Sequence, residues 1–224
     1  MSFAENLDCS FNVQDFNSGT FYACEVTSSL DNTNNGMVID GYNGVHEPNK
    51  NDNDVKAMFM FNKNTRNIPL DIGLLFNLTV FFMYNTHLVN IKAKHFHDMQ
   101  NLEELTLWYC GIHFIPTDTF SKLTKLKRID FNANHIEEIQ NGLFTNNINL
   151  ESIRFCTNKI KFIAPTVFDG LTKLNHVDLE TNKCINLEYR ESTGIIQVKE
   201  DIKTKCYNSI EITSTTTTKN PIEF

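Results

Sequence analysis

Six cysteines, at positions 9, 24, 110, 156, 184 and 206, are the residues of this chain best placed for covalent chemistry. No Cys-x-x-Cys occurs and no histidine pair sits near a cysteine at finger spacing, so a zinc site is not indicated. The outer four fall into two local pairs, Cys9 with Cys24 and Cys184 with Cys206. Closing loops of that size stabilises by roughly 3 kcal/mol in the chain-entropy picture. Disulfides at both ends imply an oxidising compartment. The start, MSFAENLDC, has no apolar signal core, so a secreted or extracellular protein whose leader is absent from this sequence is expected. HExxH, GxSxG, phosphate-loop and dinucleotide glycine patterns are all missing, so no enzyme and no cofactor is expected. His95 and His97 flank Phe96 and are expected to be solvated rather than metal ligands.

These residues must be positioned by something, and an internal repeat does it. Leu78, Leu102, Leu126, Leu150 and Leu174 recur without gaps. Three residues after each stand Phe81, Leu105, Ile129, Ile153 and Val177; five after stand Met83, Leu107, Phe131, Phe155 and Leu179. Later in each unit come Ile91, Ile115, Ile139 and Ile163, then Phe96, Phe120, Phe144 and Phe168. The alternation at the start of each unit is the period-two signature of a strand with one buried face. A single unit cannot bury that face, so stacking must create the core.

The stretches LKRIDFNANHIEEIQNGLF and LESIRFCTNKIKFIAPTVF resemble the leucine-rich repeat family in its extracellular form. The resemblance covers residues 55–186, with a weaker first unit at VKAMFMFNKNTRNIP, and implies an α/β fold. The expected architecture is a curved right-handed solenoid with short parallel strands on the concave side and little helix on the convex side. Asn134, Asn158 and Asn182 stand where the family places a buried amide, and Cys110 takes that place once. Asn147 replaces the Met99, Leu123 or Leu171 of other units, so that unit is expected to be locally looser.

The resulting division is a disulfide-stapled cap at 1–54, repeats at 55–183 with units near 55, 78, 102, 126, 150 and 174, a second cap at 184–207, and a disordered threonine-rich tail at 208–224. In the first cap, FYACEV and MVIDGY read as the two strands of a hairpin around DNTNNG. Asn77-Leu78-Thr79 is an N-glycosylation sequon. Asparagine, 29 residues in all, is partly a set of fold determinants and mostly loop surface.

The concave positions carry the functional expectation. Phe59, Phe61, Phe82, Tyr84, Trp108 and Tyr109 form an aromatic half, each ring able to bury about 150–250 Å². Two readings stand: a ligand or subunit surface, or a cluster covered by the N-terminal cap or displaced because the weak first unit is out of register. Arg128, Asp130, Arg154 and Asp178 form a charged half, either a self-neutralising ladder or a set of specificity contacts. Cys156, on the same face, is either a free or intermolecular thiol or an inert half-buried one.

A net charge of -7 with pI near 5.5 argues against a nucleic-acid partner, and no apolar run is long enough to span a membrane. The partner expected is a protein ligand, or a homo- or heterodimer mate, in innate recognition, signalling or adhesion. The alternative is an extracellular-matrix component without a discrete ligand. The cap pattern and asparagine-rich style resemble secreted insect members of the family.

Overall fold

The computed structural model describes residues 4–28, 38–70, 72, 75 and 77–207. The threonine-rich tail and the DNTNNG link lie outside them. The repeats build a parallel-strand solenoid of about five turns, as the apolar columns require. In chain order the strands are β1 (Ala4–Phe16), β2 (Gly19–Val26), β3 (Val38–Asn43), β4 (Ala57–Phe61), β5 (Val80–Tyr84), β6 (Glu104–Trp108), β7 (Arg128–Asp130), β8 (Glu138–Ile139), β9 (Ser152–Arg154), β10 (Phe162–Ile163), β11 (His176–Asp178) and β12 (Glu188–Arg190). Ten of them form one sheet in the order β12-β11-β9-β7-β6-β5-β4-β2-β1-β3, while β8 and β10 pair on the opposite side.

Register follows the repeat. Phe81 pairs with Leu105, Leu105 with Ile129, and Ile129 with Ile153, so identical columns stack across adjacent strands. Under them the phenylalanines form a spine. The rings of Phe96, Phe120, Phe144 and Phe168 follow one another at 6.3, 6.1 and 6.2 Å between centroids, a separation within the attractive range for aromatic pairs.

The amide ladder ties each turn to the one before it. Asn134 donates from Nδ2 to the carbonyls of Leu107 and Phe131, and its Oδ1 accepts the N–H groups of Cys110 and Ile112. Asn158 and Asn182 repeat the arrangement one and two turns on. These bonds satisfy backbone groups that a strand-ending turn would otherwise bury unpaired. Asn147 behaves contrary to the looser packing expected of it. It is fully buried and donates to the carbonyls of Phe120 and Leu123 at 3.0 and 2.8 Å, stitching its turn to the preceding one.

The N-terminal cap differs from the expected hairpin. β1 pairs antiparallel with β2 through the tight turn at Asn17 and Ser18, while the VIDGYN strand β3 runs parallel to the start of β1. The glycine after that two-residue turn suits a short hairpin link. The Cys9–Cys24 disulfide joins the two hairpin strands, and β2 then lies parallel to β4 and continues the repeat sheet.

At the other end β12 turns antiparallel to β11 and leads into helix α1 (Glu191–Asp201) and a π-helical turn at Ile202–Tyr207. Ile195, Val198, Ile202 and Cys206 recur at three- and four-residue spacing and are all buried over the last repeat. The Cys184–Cys206 disulfide fastens this cap.

Candidate functional site

Strands β4, β5 and β6 place the aromatic residues in two columns. Phe59 pairs with Phe82 and Phe82 with Thr106; beside them Phe61 pairs with Tyr84 and Tyr84 with Trp108. The cap hairpin divides this group. Phe16, at the end of β1, stands edge-on to Phe59 at 5.5 Å and to Phe82 at 5.4 Å. Phe59 is therefore 3% and Phe82 9% exposed, packed with Ala23, Ala57 and Val80 in a small second core. The two are roofed rather than offered to a partner. Phe61 and Tyr84 are half-buried at its edge.

Beyond the roof the face opens. Trp108 is 45% and Tyr109 55% exposed, and Tyr84 lies 5.3 Å from Trp108 and 6.5 Å from Tyr109 between ring centroids. Tyr109 holds a positive φ of 55°, in a column of left-handed residues that runs Asn62, Asn85, Tyr109, Ala133, Thr157 and Thr181. That turn ends each concave strand, and it swings the Tyr109 ring out beside Trp108.

The charged half is internally paired. Arg154 Nη1 donates to Asp130 at 2.9 Å, and Arg154 Nε lies 3.5 Å from Asp178. Arg128 donates to the buried Glu104 at 2.8 Å and lies 3.7 Å from Glu151. Burial pushes the Asp130 carboxyl above its usual range, although the Asn132 N–H and Arg154 oppose it. The self-neutralising reading of these four residues is the one the geometry supports.

A hydrogen-bonded chain that sequence reasoning missed extends this column to the cap. Ser152 Oγ lies 2.9 Å from His176 Nδ1, and His176 Nε2 lies 2.8 Å from Glu188, which also accepts from Arg190. Its Ser152–His176 link follows the parallel repeat register, whereas the antiparallel β12 brings Glu188 to His176, and nothing in the repeat announces that strand. It fastens the last strand to the sheet.

Cys110 is buried, and burial raises its thiol to about 11, so it is held as an inert thiol. Cys156 is half-buried, with Sγ 3.3 Å from Thr157 Oγ1. Its sulfur and carboxylate oxygens of Asp178 and Glu180 fall within 4.8 Å of one another. Asp178 already faces Arg154 and accepts the Glu180 N–H, so the grouping is accounted for without an ion. His95 departs from the solvated position expected of it. It is buried, its Nδ1 accepts the Lys92 N–H at 3.1 Å, and burial together with the charges of Lys94 and Lys92 lowers it to about 4. Asn77 is half-buried and donates one N–H to the Asn53 carbonyl.

A stacked parallel-strand repeat with an asparagine ladder and disulfide-fastened ends defines a class of repeat solenoid. The sequence model of the leucine rich repeat matches residues 76–136, 100–146 and 124–183, so the turns from 76 to 183 are leucine-rich repeats. Among solved structures it is similar to TLR13 in the TLR13-ssRNA13 complex, with 23% identity, 58% of this chain and 19% of that one covered, and a TM-score of 0.56. It is likewise similar to a chain of the Toll–Spatzle complex of Drosophila, with 20% identity, 64% and 20% covered, and a TM-score of 0.55. The chain thus spans about a fifth of the length of these structures, and what it shares with them is the fold. No curated protein is significantly similar to it.

Proposed function

We propose that the chain is an extracellular, non-catalytic binding module that holds a protein ligand or a partner subunit against the concave surface at Tyr84, Trp108 and Tyr109, with Phe61 at the margin. One observation carries this reading: two large aromatic residues stand open, side by side, on a face whose neighbouring charges are already paired with each other. Tyrosine and tryptophan are the residue types that dominate binding hot spots. Arg128, Asp130, Arg154 and Asp178 border the surface and set its register for a partner, contributing little free energy because their charges are already satisfied. Two disulfides fit an oxidising compartment, and among the described residues no helix is long and apolar enough to cross a membrane. Asn77, half-buried and within its sequon, is the glycan acceptor in this reading.

The similar structures are ligand complexes, Toll with Spatzle in development and innate immunity and TLR13 with single-stranded RNA. The acidic balance of this chain favours a protein over RNA as its own partner. Affinity capture from the native source fluid with wild type and the Trp108→Ala/Tyr109→Ala double variant tests the proposal. The variant is expected to lose its partner while its circular dichroism is unchanged. An unchanged capture profile would sink it and favour a structural matrix component.

A further inference from the structure

Outside the concave face, a second ladder of backbone hydrogen bonds aligns one residue per turn along the rim where the strands end. His87 donates its N–H to the Thr65 carbonyl, His135 to Ile112, Lys159 to Ile136, and Lys183 to Ile160. Their side chains therefore form a single file, with adjacent members separated by about the 4.8 Å of neighbouring strands. Gly111 leaves a gap in the file, and there the ring of His113 leans onto that of His135 with centroids 5.1 Å apart. His87, His113, Lys159 and Lys183 are exposed and His135 is half-buried. Neither Lys159 nor Lys183 has an ion-pair partner among the described residues. This is a basic stripe on a chain whose net charge is -7.

From this alignment we infer that the rim is a docking edge for an acidic polypeptide segment, and that acidification strengthens the contact. Histidine is the side-chain type whose charge change falls between about pH 5 and 8, so pH is the variable that probes a stripe built of histidine and lysine. The other charged groups on this surface do not cancel the stripe. Glu137 is engaged by Lys161 at 2.6 Å and lies below the usual carboxylate range, through the hydrogen bond and charge of Lys161 first, with Lys183 and Lys159 adding. Glu138 is half-buried and accepts from Gln140. Lys63, which lines the same depression as His87, is a further cation. Charge complementarity thus selects an anionic partner. A peptide fits better than a nucleic acid, because two unpaired lysines are too few to replace the counterions of a phosphate backbone. The inference uses other residues than the aromatic surface, which it adjoins, since Tyr109 lines the same depression as His87 and His135.

The test is fluorescence anisotropy of a labelled ten-residue oligo-aspartate at pH 7.5 and 5.5, at fixed ionic strength. Wild type is expected to bind roughly 10-fold tighter at the lower pH, the size that a few weak charge contacts add up to. The His87→Gln/His135→Gln variant should keep its neutral-pH affinity and lose most of that gain. The Lys159→Gln/Lys183→Gln variant should weaken at both pH values, and Trp108→Ala should change neither. A pH-independent wild type, no binding at either pH, or equal or tighter binding of single-stranded oligothymidylate would overturn the inference.

Discussion

The ring of Phe16, in the cap hairpin, stands 5.4 Å from that of Phe82, two turns into the solenoid, at an interplanar angle of 78°. The cap is thereby more than a plug at the end of the core: it reaches along the concave face and decides which aromatic residues remain open. Replacing Phe16 by Ala should cost about 2 kcal/mol, below the range for a fully buried phenylalanine because Phe16 is only half-buried. It should also expose Phe59 and Phe82. Thermal denaturation and binding of an apolar dye read the two effects. A variant as stable as wild type, with no added dye binding, would show that the hairpin does not cover the face in solution.

The two kinds of buried asparagine should respond in opposite directions. Asn158→Ala removes partners from the Ile136 N–H and from the Phe131 and Phe155 carbonyls, and should cost about 3 kcal/mol. Asn147 differs, because its Oδ1 is buried without a partner, while the Phe120 and Leu123 carbonyls it contacts also accept backbone N–H groups. Asn147→Leu should therefore be neutral or stabilising by about 1 kcal/mol. Urea denaturation of both variants checks the contrast, and a large loss at Asn147 would refute it.

The repeat explains why some of this was legible in the residues and some was not. Leu105, Ile129 and Ile153 announce a stacked core because each obeys one local period, and the asparagine positions follow from the same alignment. Phe16 obeys no period, so its contact with Phe82 depends on a hairpin whose strands had to be chosen among several polar alternations. His95 turns inward because the 3-10 turn at Ala93–Phe96 needs an acceptor for the Lys92 N–H, a demand that the convex-side spacing does not encode. Ser152 meets His176 through the parallel register of the repeat, but Glu188 reaches His176 only through the antiparallel register of the last strand.

Left-handed backbone at the strand ends offers another test. Thr157 holds φ of 57°, where a β-branched side chain is disfavoured, while Asn62 and Asn85 occupy the same place in earlier turns at 51° and 53°. Thr157→Asn should stabilise by about 1 kcal/mol, raising Tm by roughly 2–4 °C for a chain of this size. A lower Tm, measured by calorimetry, would mean that the Thr157 contact with Cys156 outweighs the backbone strain.

Acid should loosen the C-terminal cap before the repeats. Burial raises the Glu188 carboxyl, but the hydrogen bonds from His176 and Arg190 outweigh it and the net shift is downward. Asp201 is also lowered, first by the hydrogen bond from the Tyr189 hydroxyl, with Lys205 and Gln197 contributing against burial. Both carboxyls therefore sit below their unfolded values in the folded state. Their stabilisation is complete above about pH 5, and it fades as pH falls through the ordinary carboxylate range near 4 and on through the lowered folded values. Hydrogen exchange corrected for intrinsic rates should show β12 and α1 losing protection between about pH 5 and 3 while β6 and β7 hold. Glu188→Gln/Asp201→Asn should abolish that pH dependence and leave the cap at its acid-state protection throughout. Equal loss across cap and repeats would instead place the acid sensitivity in the concave carboxylates.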